Sequence, residues 1–220
     1  MVEEMDRENA DPVLLQNTYR QFEKINGLLS QWKSIYKKEI KPHLNKSCPN
    51  TLLDIGFGGG DVPINIHRWA KRDGFDLQIT AIEIDERAYQ YANQLGAPEE
   101  ISFNFQSSRE LVEKNLSFDF VISNHVLHHL NEKQFYEMLD DAKLLATKKI
   151  VFNDIKRSYL GYSLFNICSR ILFSDSYITK DGLTSIKRSY TQKELCDSAP
   201  PDWKVKSKFP FRLLLIYDKT

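Results

Sequence analysis

The run Leu52-Leu53-Asp54-Ile55-Gly56-Phe57-Gly58-Gly59-Gly60-Asp61 passes from a short apolar strand through a glycine cluster into a polar residue that opens a helix. Glycine admits positive φ and lets a ligand approach the backbone without meeting a Cβ. In open α/β sheets, ligands settle at the carboxyl ends of strands where the strand order reverses. A second strand-like run, Leu77–Ile84, carries Glu83 near its end, about twenty residues beyond the glycines. A carboxylate there accepts hydrogen bonds from both hydroxyls of a ribose. A tight strand-to-helix turn without a ligand accounts for the glycines alone, but not for an acid at that distance.

Outward from this loop the chain alternates strand and helix. Thr51–Ile55, Leu77–Ile84, Ile101–Phe105, Phe118–Ile122 and Lys149–Ile155 are the strand-like runs. Between them lie helical stretches with start and stop signals: Asp85 as a cap, Gly96 as a stop, and Asn131 with Gln134 spaced as a capping box. Strands separated by helices predict a mostly parallel sheet covered on both faces. Upstream, Asp11–Ile40 reads as one amphipathic helix bearing Leu15, Phe22, Ile25, Leu29, Trp32 and Tyr36 on one stripe, with Gly27 as the expected bend. Downstream, Tyr159–Phe173 is apolar and helical, and Thr191 with Glu194 forms another capping box. Two closing strands, Trp203–Lys208 and Phe211–Tyr217, read as a hairpin through Pro210.

The charge around the loop selects the ligand. A dinucleotide fingerprint places a small residue where Asp61 stands, because the pyrophosphate takes the helix N–H groups there. A carboxylate at that point repels a diphosphate, and Asp54 adds more negative charge. The pattern favours a cationic nucleoside.

These residues resemble the class I S-adenosylmethionine-dependent methyltransferases. Leu53–Gly60 is similar to their first motif, Glu83 to their ribose-binding acid, and Phe118–Asn124 followed by Leu127–Leu130 to their fourth-strand motif. A weaker likeness to small-molecule methyltransferases of quinone and polyketide pathways rests on Asp11, Pro12, Leu15, Tyr19, Arg20, Phe22 and on Ser189–Thr191. The resemblance implies a Rossmann-like α/β fold with a seven-stranded, mostly parallel sheet whose last strand is antiparallel. It implies an N-terminal helical lid over residues 1–48, then a methyltransferase domain over 49–220 with a helical insertion at about 156–190. The expected S-adenosyl-L-methionine residues are Asp54, Gly56, Gly58, Gly60, Asp61, Glu83, Ile84, Ser107, Ser108 and Asn124. Ser107 and Ser108 depart from the pattern, since many members carry an acid after the third strand.

Methyl transfer needs donor and acceptor held in line, and a hydroxyl acceptor gains from a base. The residues expected near the reacting centre are His125, Asp154 and His128, with His129 beside them. His125 is the leading base, and Asp154 orients a histidine or the acceptor hydroxyl, or else caps the next helix. Tyr19, Phe22, Asn153 and Phe165 are expected to line the acceptor pocket, with Tyr159–Phe173 read either as core or as a lid. The histidines lack metal-type spacing with nearby acids, so no metal is expected. Oxygen is the expected methylated atom, with ring carbon behind it. The competing readings are a nicotinamide-dependent reductase, which Asp61 opposes, and a non-catalytic nucleoside-binding protein.

Composition excludes several other classes. Of 220 residues, 30 are basic and 30 acidic, so no net field draws the chain to nucleic acid. The acids of the N-terminus, Glu3 to Asp11, read as a solvated stretch. No apolar run suits a signal peptide or membrane span, so no stable membrane insertion is expected. Three cysteines without paired spacing fit a cytoplasmic protein, expected as a monomer or homodimer.

Overall fold

The computed structural model describes residues 2–219. Its chain begins with helix α1 (Pro12–Leu29) and the short α2 (Trp32–Ile35), then a π-turn (Tyr36–Ile40) and a 3-10 turn (Lys41–His43). Strand and helix then alternate as β1 (Asn50–Ile55), α3 (Asp61–Arg72), β2 (Leu77–Glu83), α4 (Glu86–Ala92), β3 (Ile101–Phe105) and α5 (Ser108–Glu113). The second half runs β4 (Phe118–Asn124), α6 (Glu132–Leu145), β5 (Ala146–Ile155), α7 (Tyr159–Leu172), α8 (Ile178–Arg188), α9 (Gln192–Ser198), β6 (Lys204–Lys208) and β7 (Arg212–Asp218).

The strands form one seven-stranded sheet in the order β3-β2-β1-β4-β5-β7-β6. The first five pair in parallel, whereas β7 runs antiparallel to both β5 and β6. This is the sheet the sequence predicted. Alternate residues of each central strand feed opposite cores, as a period of two requires. Leu53, Val121 and Phe152 pack on one face against Phe135, Leu139 and Ala142 of α6. Leu52, Phe120 and Val151 pack on the other against Val62, Ile66 and Ala70 of α3. Trp32, Tyr36 and Ile40 join this second core and bind the N-terminal segment to the sheet.

The predicted long first helix breaks, though not at Gly27. Asp11 caps α1 by accepting from the Val13 and Leu14 N–H groups at 2.8 and 3.0 Å, as its sequence position implies. Gly27 stays helical, and the chain turns instead at Gln31, whose φ is 60°. Tertiary contacts fix the break. Asn153 Nδ2 donates to the Ser30 carbonyl at 2.8 Å, and Arg212 Nε donates to the Leu29 carbonyl at 2.9 Å. Side chains from the sheet thus satisfy carbonyls that the ending helix leaves free.

The apolar helix α7 also departs from one reading. Tyr159, Leu160, Ile167 and Ile171 are exposed, and its buried members are Gly161 and Ser169, so the helix is not core. Among the described residues no helix is long and apolar enough to cross a membrane.

Asn153 is 1% exposed and also donates to Asn124 Oδ1 at 3.1 Å. Asn153→Ala strands the buried Ser30 carbonyl, and urea unfolding should show a loss of about 1–3 kcal/mol. A loss under ~0.5 kcal/mol would mean that the break in the N-terminal helix is held by something else.

Candidate functional site

The carboxyl ends of β1, β2, β4 and β5 open into a cavity of about 1000 Å³, within the size range of small-ligand sites. The glycine loop forms its floor. Gly56 has φ +76°, and a Cβ there would stand 2.6 Å from Val126 Cγ2, so no larger residue fits. Gly60, at φ +75°, turns the chain into α3 but does not line the cavity, contrary to its expected contact role. Its part is to set Asp61 as the first residue of that helix.

Three acids converge here. Asp54 is 1% exposed, yet neither of its oxygens has a hydrogen-bond partner among the described residues. Burial, reinforced by the charges of Asp61 and Glu83, raises its carboxyl well above the ordinary range. Asp61 is pushed up to about 6, mainly by burial, although Asn26 Nδ2 of α1 donates to both its oxygens at 3.0 and 3.1 Å. Glu83 is raised by burial as well, while the Gly58, Ile84 and Asp85 N–H groups hold its carboxylate in place. A cluster of desolvated acids with an unpartnered member is set up to receive a cation.

Helix α1 closes the loop from above. Tyr19 and Phe22 line the cavity, with Phe22 against the Gly59 backbone, and the buried Tyr19 hydroxyl has no partner among the described residues. Ile84, Ser107, Ser108 and Asn124 also line it. Ser107, however, is the N-cap of α5 in a capping box with Glu110, and Ser108 Oγ donates to Asp141 at 2.9 Å.

At the ends of β4 and β5 the histidines divide into separate roles. His125 lines the cavity at φ +63°, a strained conformation of the kind that gathers at functional sites. Its Nε2 is engaged by an Arg212 guanidinium N–H. Burial first, then the Arg212 charge, hold the His125 ring well below the usual imidazole range. His128 is buried, with Nδ1 2.6 Å from Asp154 Oδ1 and its backbone N–H on Asp154 Oδ2 at 3.0 Å. Burial disfavours its charge, but the Asp154 carboxylate outweighs that and lifts His128 to about 9. Burial likewise pushes Asp154 up, yet the His128 charge and hydrogen bond bring it well below the carboxylate range. Asp154 therefore orients a histidine, and that histidine is His128.

Two expectations need correction. Asn153 does not line the pocket: it is buried beneath it, holding Ser30 and Asn124. Glu3 is not a solvated acid but 4% exposed, bonded by Ser185 Oγ at 2.7 Å and 3.6 Å from the Nε2 atoms of both His128 and His129. The Asp181 carboxylate holds this strand of chain by accepting from the Glu4 and Met5 N–H groups at 2.7 and 2.9 Å. Glu3, His128 and His129 bring ligand-type atoms within 4.8 Å of one another, a grouping that sequence spacing does not show because Glu3 arrives from afar. A charged His128 between Asp154 and Glu3 accounts for it as an ion-pair chain. Arg212 was likewise missed. Its one signal was a cation heading the otherwise apolar run Leu213–Ile216.

Phe165 does reach the cavity, nested against Gly182, where a Cβ would stand 2.5 Å from its ring. Ile25 and Leu29 from α1, Ile178 and Ile186 from α8, and Phe211 add apolar wall.

Residues 52–148 match a protein-family model described as Methyltransferase domain. The chain is similar to the ubiquinone biosynthesis O-methyltransferase of Rickettsia bellii (strain OSU 85-389), 29% identical over 128 residues that cover 56% of this chain and 50% of that protein. It is also similar to the ubiquinone/menaquinone biosynthesis C-methyltransferase of the same strain, 28% identical over 50% of this chain and 43% of that one. The chain spans about half the length of the curated relatives it matches. Among solved structures, magnesium protoporphyrin IX methyltransferase from Synechocystis PCC 6803 with bound SAH shares the fold at a TM-score of 0.55. It is 15% identical and covers 92% of this chain and 88% of that one.

A nuclear magnetic resonance titration of the histidine rings should find His128 with a midpoint near about 9 and His125 neutral throughout the neutral range. Because the His128 value is raised, its contribution to stability is complete below about 6.5 and is lost as pH climbs through about 9. A His128 midpoint at or below the free-imidazole value would contradict the Asp154 pairing.

Proposed function

With residues 52–148 matching the methyltransferase domain, we propose that the chain is an S-adenosylmethionine-dependent methyltransferase acting at oxygen on a small, apolar acceptor. The observation that carries this reading is the Asp54 carboxylate, buried in the cavity wall with both oxygens unpartnered beside Asp61 and Glu83. A buried acid without a partner costs free energy that a bound cation recovers. Asp54 and Asp61 suit the cationic end of such a nucleoside, and Glu83 suits its ribose. Ile84, just beyond β2, and Ser107 and Ser108, just beyond β3, suit its base. When bound, the sulfonium supplies a methyl group already activated for displacement.

The chain's own part is alignment and exclusion of water. Tyr19 and Phe22 press α1 on the glycine loop, and Phe165, Ile178 and Ile186 enclose the opposite side. An apolar enclosure strengthens electrostatic interactions within it and favours an apolar acceptor. His125, Asn124 and His128 line the cavity at or just beyond the carboxyl end of β4, whereas Asp154 of β5 does not line it and lies buried behind His128. The net charge of zero supports a small molecule over nucleic acid. Free Cys48, Cys168 and Cys196, all exposed, support a cytoplasmic site of action.

Calorimetric titration with S-adenosylhomocysteine should give about micromolar affinity and NADH should give none. Asp54→Asn should weaken S-adenosylhomocysteine at least about tenfold, while raising the melting temperature of the ligand-free protein by a few degrees. Binding of NADH with no binding of S-adenosylhomocysteine would overturn the reading.

A further inference from the structure

Arg212 is a buried cation lining the cavity that forms no ion pair among the described residues, although the buried Asp154 charge favours its protonated form. It is 3% exposed at the first position of β7, in register with Ile155 at the end of β5. Nε is committed to the Leu29 carbonyl and Nη1 to His125 Nε2, but Nη2 has no protein acceptor among the described residues. No carboxylate lies within ion-pair distance of the guanidinium among those residues. The nearby Asp154 is fully used, its Oδ1 by His128 Nδ1 and the Ile155 N–H and its Oδ2 by the His128 N–H. Lys156, which also lines the cavity, has a serine hydroxyl as its partner rather than an acid. An isolated buried charge is costly, and proteins normally pair it.

The same half of the cavity lacks a free base. His125 Nε2 accepts from the guanidinium, so its lone pair is taken. His128 carries a proton between Asp154 and Glu3. His129 faces Glu3 with one ring nitrogen and Asp6 with the other, at 3.6 and 3.5 Å. A neutral phenol, with its proton held to about pH 10, would find none of these three histidines free to remove it. An acceptor that ionises unaided in water needs none.

We infer that Arg212 is an anion-binding residue of the acceptor site, and that the acceptor arrives as an oxygen anion, either a carboxylate or the conjugate base of an acidic enol. This rests on the methyl-transfer reading. The acceptor's anionic oxygen forms the new carbon–oxygen bond as the carbon–sulfur bond of the donor breaks, and the released electron pair stays on sulfur. Anion and sulfonium both become neutral, giving an ester or enol ether and a thioether, and no proton is transferred. Arg212 holds the oxygen in position, and the apolar walls take the remainder of the molecule.

The test uses the full chain saturated with S-adenosylhomocysteine and two probe pairs at pH 7.5: 2-naphthoate with 2-naphthamide, and 4-hydroxycoumarin with coumarin. One anion or both should bind at least about tenfold tighter than its neutral counterpart. Preference for naphthoate alone assigns a carboxylate acceptor, and for hydroxycoumarin alone an enol. Arg212→Gln should erase the preference while leaving S-adenosylhomocysteine affinity within about twofold. Arg212→Lys, which keeps the buried charge, should retain part of the preference and serves if the glutamine variant does not fold. Equal binding of anion and neutral partner, binding of neither, or a preference that survives in Arg212→Gln would overturn the inference. Failure of S-adenosylhomocysteine itself to bind would instead overturn the methyl-transfer reading beneath it.

Discussion

Repulsion among the carboxylates of Asp54, Asp61 and Glu83, gathered out of water at the ends of β1 and β2, governs the organisation of this molecule. β1 delivers Asp54 and β2 delivers Glu83 because the two strands lie in parallel register. The glycine loop then carries the chain to Asp61 at the head of α3. Left alone, these groups take up protons or draw in partners, and Asn26 and three backbone N–H groups supply part of that compensation. Asp54 receives none. The surroundings follow from this: α1 lies across the loop both to bond Asp61 and to seal the cavity with Tyr19 and Phe22. A fold that keeps an uncompensated acid at its centre holds a place for a cation.

The half of the cavity beside His125 shows the opposite arrangement. Its charges run as a chain from Glu3 through His128 to Asp154, and beside that chain stands Arg212, bonded to the His125 ring and within reach of the Asp154 charge but in no ion pair among the described residues. Acids at one end and an unpaired guanidinium at the other give the cavity a polarity that would align a cationic donor with an anionic acceptor. Desolvation makes each charge count for more than it would in water. The apolar side chains of α1, α7 and α8 supply that desolvation. On α7 only part of the apolar surface serves it: Phe165 turns inward, whereas Leu160, Ile167 and Ile171 are exposed.

The sheet and the glycine loop at its centre were legible in the sequence because their signals are local. Leu52–Asp61 contains the strand, the turn and the helix start in one run, and the capping boxes at Asn131 and Thr191 form as their spacing implies. What the sequence concealed depends on distant partners. The break after Leu29 falls at Gln31 because Asn153 and Arg212 capture carbonyls there, and no local residue announces it. Asn153 looked like a pocket residue from its place near the end of β5, yet the strand's alternation turns it beneath the cavity. Glu3 looked solvated because it opens an acidic run, and only Ser185 and Asp181 on α8 draw that run inward. Among the histidines, His125 lines the cavity as its place after β4 implies, whereas the pairing of His128 with Asp154 joins two strands' ends and shows in no spacing.

The central claim is that the acid cluster exists to bind a cationic nucleoside, and proton release on binding tests it most directly. Calorimetry of S-adenosylmethionine binding at pH 6.5, repeated in buffers of different ionisation enthalpy, counts the protons expelled. Asp54 is raised well above the carboxylate range and Asp61 is pushed up to about 6, so a cationic ligand that holds both groups ionised should drive off protons. Tight binding with no proton release, or with proton uptake, would contradict the account.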